Sequence, residues 1–227
     1  MARRIAYLLL MLVILLGFWH SGRQGIANAW HFKSVYFLEN WSAGQRQTPN
    51  AYAEALHAAT AAWQGDNANP HYALMLARTM EWGYLMQWDT KPDLVLLRQL
   101  YEDAIAERPT WSDAYAGYAY ANAYIFNDIA AVFPLLQQAH QHGPYMPVQL
   151  LQSVFIISDF WQQMPAEAKR FYFERTYDVA KAHPTTFNPV SQHLKQHPLR
   201  ASTCLYLSVK SLSESEQNRL NRSFCRK

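Results

Sequence analysis

Two histidines, His193 and His197, stand four residues apart, a spacing that puts both imidazoles on one face of a helix. Metal-binding helices use this spacing, and zinc hydrolases place a glutamate directly after the first histidine. Here that position holds Leu194, and His197 precedes Pro198 at a predicted helix end. The pair is therefore interpreted as two surface histidines, and neither a metal nor another cofactor is expected.

Hydrolytic chemistry has little support in the sequence. Neither a Gly-x-Ser-x-Gly motif nor a cysteine with a flanking histidine signature occurs, and no glycine-rich phosphate loop is found. Glu102, Asp103 and Glu107 fall near one another on a predicted helix, and paired carboxylates are what glycosidases use. With Arg98 and Arg108 nearby, a salt-bridged, solvated face is the preferred interpretation. The protein is predicted not to be an enzyme.

Two aromatic residues are candidates for stacking on a ligand. Tyr120 falls off the core face that Trp111, Tyr115 and Tyr118 follow, and Trp88 lies at the end of an earlier predicted helix. A ring with a polar edge suits a sugar chain on the concave surface of a helical solenoid. Packing in the core is the alternative, because aromatic stripes at helical spacing usually indicate it. Both interpretations stay open from the sequence.

The elements that position these residues are predicted to be helices throughout. No alternating strand pattern of useful length occurs between turn signals. Helices are expected at about 31–42, 49–64, 70–86, 92–107, 111–125, 128–141, 146–162, 165–182, 189–196, 200–210 and 213–223.

A degenerate repeat runs through these helices. Pro70, Pro109 and Pro144 each follow one helix-like run and open another, at spacings of 39 and 35 residues. Upstream of the last two prolines, a bulky residue and an alanine recur at the same offsets. These positions are Tyr101, Ala104, Leu136 and Ala139. Stacked antiparallel helix pairs, a solenoid similar to tetratricopeptide repeats, are the predicted fold class.

The N-terminus predicts a membrane anchor. Arg3 and Arg4 precede an uncharged apolar run over 5–19, and extension to Gly22 gives about 27 Å of helix. The arginine pair favours a cytoplasmic tip with the rest of the chain translocated into the periplasm of a bacterium. The expected organisation is a tip, anchor or signal segment and linker over 1–29, and a helical-repeat domain over 30–227.

A cleaved signal peptide is the alternative to a retained anchor. Ala27, Asn28 and Ala29 form an A-x-A site, and cleavage there would leave a mature chain that begins at Trp30. The long polar stretch with Arg23 before this site and the interfacial Trp19 favour the retained anchor.

The composition excludes disorder and disfavours nucleic acid as a partner. Half of the 227 residues are hydrophobic, enough for a sizeable core. Three of the 20 basic residues lie in 1–29, so the remaining 17 balance the 17 acidic residues, and a balanced domain offers little to a polyanion. Cys204 and Cys225 are the only cysteines, and in an oxidising compartment they could form a local disulfide. Two separate buried thiols remain the alternative.

The run over 101–116, with Pro109 at its centre, looks like part of a tetratricopeptide repeat. Together with the N-terminal membrane segment, the aromatic strip that ends in Trp41 and the cysteine pair, it resembles the VpsP family of bacterial exopolysaccharide biosynthesis proteins. The resemblance spans the whole chain and implies an accessory role in making or exporting a capsule or biofilm polysaccharide.

Three functions are weighed from these observations. The first is a scaffold in the inner membrane that contacts polysaccharide assembly or export proteins. The second is a periplasmic carbohydrate-binding module that holds the polymer itself through Trp88 and Tyr120. The third and weakest is a glycan-modifying enzyme.

Overall fold

The computed structural model describes residues 2–225, and 78% of the chain is helical. No strand occurs within this described range, so the predicted all-α class is confirmed. The chain forms two compact units, Met1–Pro109 (unit 1) and Thr110–Lys227 (unit 2). The sequence had indicated no boundary at this place.

Unit 1 consists of one very long helix and three of ordinary length. They are α1 (Ala2–Ser42), α2 (Pro49–Gly65), α3 (Pro70–Leu85) and α4 (Leu94–Glu107). Side chains that cap the first free amides define where the shorter helices begin: Thr48 accepts from the Ala51 amide, and Asn69 accepts from the His71 amide. Helix α2 packs against both α1 and α3, and α3 packs against α4.

Helix α1 is continuous where the sequence predicted a linker. It runs without interruption from the apolar segment through residues 20–30 to Ser42. Gly22 and Gly25 lower helix propensity in this region. From Ala27 onwards, α1 packs against α2, and Ala27 itself is buried. This packing offsets the cost of the two glycines.

A carboxyl group is buried between α3 and α4. Glu81 is 8% exposed, and the Tyr101 hydroxyl donates to its Oε1 at 2.6 Å. Burial raises the pKa of Glu81 to about 7, although the Tyr101 hydrogen bond and Arg78 oppose the rise. The folded protein therefore binds this proton more tightly than the unfolded chain does. Its stabilising contribution is complete below pH 4.5 and is lost as the pH rises to about 7.

Replacing Glu81 by glutamine should make unit 1 more stable than the wild type at pH 8, by about 1–3 kcal/mol, with little difference near pH 4.5. Glutamine keeps an oxygen that accepts from Tyr101 but has no charge to bury. Thermal unfolding of both proteins across this pH range measures the effect, and Glu107→Gln on the exposed side of α4 is the matched control. If the stability of Glu81→Gln and of the wild type depended on pH in the same way, the raised pKa of Glu81 would be contradicted.

Unit 2 consists of shorter helices around one apolar core. They are α5 (Ser112–Tyr124), α6 (Ile129–His142), α7 (Pro147–Asp159), α8 (Ala166–Lys181), α9 (Pro184–Leu194), α10 (Arg200–Ser208) and α11 (Glu214–Leu220), followed by a π-helical turn (Asn221–Cys225). Helix α5 packs against α6 and α7, and α7 packs in turn against α8 and α9. The end of α7 and the end of α9 therefore lie in one part of the unit.

The recurring bulky and small residues of the repeat pattern are fully buried. Tyr101 and Ala104 on α4, like Leu136 and Ala139 on α6, have no exposed surface. The Ser112 hydroxyl at the start of α5 donates to the Ala139 carbonyl at 2.7 Å, which ties α5 to the end of α6. Small residues at these places allow neighbouring helices to approach closely.

Candidate functional site

The N-terminal part of α1 is long and apolar enough to cross a membrane. The most hydrophobic stretch of this helix has none of its residues buried by the rest of the protein. Such a surface is unfavourable in water and favourable in lipid. Phe18 and Trp19 at its end are about three quarters exposed, as is common for aromatic residues at a membrane surface.

The C-terminal part of the same helix belongs to the core of unit 1. Ala27, Ser34, Leu38 and Trp41 form its buried face. At Gly65, the last residue of α2, an added Cβ would lie 2.6 Å from the Ala27 Cβ, so the close approach of the two helices requires glycine there. One unbroken helix thus joins the apolar segment to the packed unit.

A notch lies where these two parts of α1 meet. It encloses about 370 Å³, and its walls include Phe18, Trp19, Ile26 and Trp30 of α1 together with the end of α2. The Arg23 guanidinium at this place donates to the Gln64 carbonyl at 3.2 Å, which adds a second tie between α1 and α2. Arg23, the basic residue that follows the apolar segment, is therefore held against α2.

The face of α1 that points away from α2 carries two exposed aromatic residues. Phe32 and Tyr36 are each 62% exposed and lie one turn apart. Exposed apolar side chains grouped on one helix face are typical of contact surfaces.

Trp88 and Tyr120, the two candidate stacking residues, are each packed against neighbouring aromatic rings. Trp88 is partly buried and contacts Trp41 and Tyr52, with ring centroids 6.2 and 5.7 Å apart. Tyr120 is also partly buried and lies against Tyr124, with centroids 4.6 Å apart. Each ring therefore has one face or edge in the protein, and they belong to different units.

His193 and His197 lie together, and the structure adds a third group to them. Their rings stack with centroids 5.2 Å apart, and Asp159 Oδ1 lies 3.3 Å from His193 Nε2. One ligand atom from each of the three side chains falls within 4.8 Å of the other two. Sequence reasoning missed Asp159, because it precedes His193 by 34 residues and only the packing of α7 against α9 brings them together.

The other carboxylate oxygen of Asp159 accepts a hydrogen bond. The Tyr124 hydroxyl donates to Asp159 Oδ2 at 2.6 Å. Burial, followed by the hydrogen bond and the negative charge of Asp159, raises the pKa of Tyr124, so this hydroxyl keeps its proton. The carboxylate is thereby oriented with Oδ1 towards the histidines.

The three acidic residues of α4, Glu102, Asp103 and Glu107, lie on one side of a single helix. Asp103 accepts from the Gln99 side-chain amide one turn earlier, at 2.7 Å, and Glu102 and Glu107 are exposed. This is the geometry of a solvated helix face.

Cys204 and Cys225 form a disulfide between α10 and the π-helical turn, with Cα atoms 5.5 Å apart. It lies at the end of unit 2, where Phe224 packs against Phe187.

No protein-family model matches this chain, and none of the curated proteins compared with it is a match.

Proposed function

We propose that this protein is a scaffold of a bacterial exopolysaccharide assembly or export system, anchored in the inner membrane by the N-terminal part of α1, with the domain of residues 30–227 in the periplasm. The observation that carries the proposal is the continuity of α1, whose apolar half is exposed and whose other half is built into unit 1. A helix of this kind positions a folded unit at a membrane without a flexible connection. The resemblance to the VpsP family supplies the polysaccharide context.

The retained anchor is favoured over cleavage after Ala29. Cleavage would remove Arg23 and Ala27, which hold α1 against Gln64 and Gly65 of α2. It would also shorten α1 to the residues from Trp30 onwards and expose the end of α2. The structure of unit 1 is thus better matched to an intact α1.

Charge and the cysteines support the proposed orientation. Arg3 and Arg4 favour the cytoplasmic side, while Arg23 on the other side is engaged by the Gln64 carbonyl. A disulfide between Cys204 and Cys225 is stable in an oxidising compartment such as the periplasm.

The helical hairpins suit a protein that binds other proteins. Helices α5 to α8 pack as successive neighbours, and α5 also packs on α7, as the first helices of adjacent tetratricopeptide-like repeats do. Such repeats present extended surfaces to partners rather than enclosed catalytic pockets.

The contact surface nearest to the membrane is the exposed face of α1 around Phe32 and Tyr36. A partner with its own transmembrane helix would meet this face on leaving the bilayer, because both helices emerge at the same surface. Exposed aromatic side chains contribute disproportionately to the free energy of such contacts.

In a strain that lacks this protein, the wild-type chain should restore secreted polysaccharide, while Phe32→Ala/Tyr36→Ala should restore less than about a tenth of it, since loss of two aromatic contacts costs several kcal/mol of binding. The matched control is Val95→Ala on α4, which changes a residue that is 82% exposed. A photo-crosslinking amino acid at position 36 should capture a membrane protein of the polysaccharide machinery, and one at position 95 should not.

Full restoration by the double variant, or by a secreted chain of residues 30–227, would overturn the scaffold proposal. Immunoblotting of membrane fractions establishes that each variant accumulates to the wild-type level.

A further inference from the structure

Three potential metal ligands converge in unit 2, on elements that do not depend on the membrane anchor. Asp159 is the last residue of α7, His193 lies in the last turn of α9, and His197 lies in the turn that follows. Their ligand atoms lie within 4.8 Å of one another, and the closest pair, Asp159 Oδ1 and His193 Nε2, is 3.3 Å apart. Ligands of a tetrahedral zinc ion, each at about 2.0–2.1 Å, are about 3.3 Å from one another. The closest pair already has the spacing of two zinc ligands, and the third ligand atom lies within 4.8 Å of both.

The chemistry of the three ligands selects one class of ion. Two imidazoles and one carboxylate suit Zn²⁺ and neighbouring transition metals, whereas Mg²⁺ and Ca²⁺ prefer sets of oxygen atoms. Three protein ligands leave one tetrahedral position open to water. The side chains of His193 and Asp159 are 25% and 35% exposed, so an ion and its water reach the group from solvent.

The surroundings hold the ligands in place as the outer shell of a metal site does. Tyr124 fixes Asp159 through Oδ2, and Phe155 packs against the His193 ring with centroids 4.8 Å apart. Hydrogen bonds to the far side of a ligating carboxylate typically contribute a factor of about 10 to 100 in metal affinity.

Without an ion, His193 Nε2 and His197 Nδ1 are both hydrogen-bonded to other groups of the protein. The Ser158 hydroxyl donates to the Phe155 carbonyl, so His193 Nε2–H donates to Ser158 Oγ at 2.9 Å. The Leu199 amide donates to His197 Nδ1 at 3.2 Å. An ion binds His193 Nε2 only in the neutral tautomer that carries its proton on Nδ1, so on binding the proton moves from Nε2 to Nδ1 and the hydrogen bond to Ser158 Oγ is given up.

We propose that Asp159, His193 and His197 bind one divalent transition-metal ion of the Zn²⁺ class, with water as a further ligand and Tyr124 as the residue that positions the carboxylate. The ion links the end of α7 to the turn after α9. Unit 2 thereby gains a metal-dependent link between two of its helices. In the proposed periplasmic location, Zn²⁺ could occupy this site.

The test is calorimetric titration of Zn²⁺ into the full-length chain, purified in detergent micelles with an affinity tag that contains no histidine. The wild type should bind one equivalent with a dissociation constant on the order of micromolar or lower. His193→Ala, His197→Gln and Asp159→Asn should each weaken binding at least about tenfold, and Tyr124→Phe by about tenfold. Asp159→Asn retains an oxygen that accepts from Tyr124, so it also controls for folding.

His142→Ala is the matched control for adventitious histidine binding, because His142 lies in unit 2 at the end of α6, stacked on Tyr115. It should bind Zn²⁺ like the wild type. Substituted Co²⁺ should give visible absorption bands of four- or five-coordinate cobalt that the His193→Ala protein lacks. Absence of stoichiometric binding by the wild type, or equal binding by the wild type and the three ligand variants, would overturn the proposal.

Discussion

Truncation of Trp41 to alanine is expected to lower the free energy of unfolding of unit 1 by about 3–5 kcal/mol, the usual range for a buried tryptophan. Trp41 is 3% exposed at the C-terminal end of α1. Its ring meets Trp82 of α3 and Trp88 of the following loop, with centroids 5.6 and 6.2 Å away. The substitution removes this contact area and leaves a cavity that the helices cannot fill by a small shift.

Urea unfolding in mild detergent micelles, followed by far-ultraviolet circular dichroism, measures this change. Phe32→Ala is the matched control, because Phe32 is an aromatic residue on the same helix that is 62% exposed. Its removal should change the free energy of unfolding by less than about 0.5 kcal/mol. Equal effects of the two substitutions would show that the end of α1 is not packed in the core of unit 1.

Loss of the disulfide should destabilise unit 2 by about 3 kcal/mol. The bond closes a loop of moderate length, with Cys204 and Cys225 separated by 21 positions, and so reduces the entropy of the unfolded chain. Arg200 also ties α10 to the chain end through the Phe224 carbonyl. In Cys204→Ser/Cys225→Ser the hydrogen bond from Arg200 to the Phe224 carbonyl remains, but it must order this segment without the crosslink.

A reductant provides the control for this prediction. Dithiothreitol should lower the melting temperature of the wild type to that of the double variant and should leave the double variant unchanged. Mass spectrometry of non-reduced peptides should detect the Cys204–Cys225 crosslink. Free thiols in the oxidised protein, with no response to the reductant, would contradict the bridge.

Local signals in the sequence predicted most helix positions. Helices α2 and α3 begin at Pro49 and Pro70, as expected, because proline at the first helical position lacks only an amide that has no partner there. The prediction was poorer at α9, which begins at Pro184 rather than at Pro189. His183 caps this helix through the Thr185 amide, and Pro189 is tolerated inside it.

Features that depend on packing could not be predicted from local signals. The continuity of α1 depends on contacts between Ala27 and the end of α2, which lie far apart in sequence. The cluster of Asp159 with the two histidines likewise depends on the packing of α7 against α9. The i, i+4 histidine pair was visible in the sequence, but the carboxylate beside it carried no sequence signal.

With α1 spanning a bilayer as proposed, its continuity fixes the direction in which the packed part of unit 1 faces in the plane of that bilayer. A helix turns by about 100° and advances by about 1.5 Å with each residue. One residue inserted between Gly22 and Ala27 would therefore swing unit 1 through more than a quarter of a revolution about the bilayer normal while scarcely changing its height. The orientation of the helix face with Phe32 and Tyr36 about the bilayer normal is therefore set by the number of residues between the apolar turns of α1 and its first packed turn.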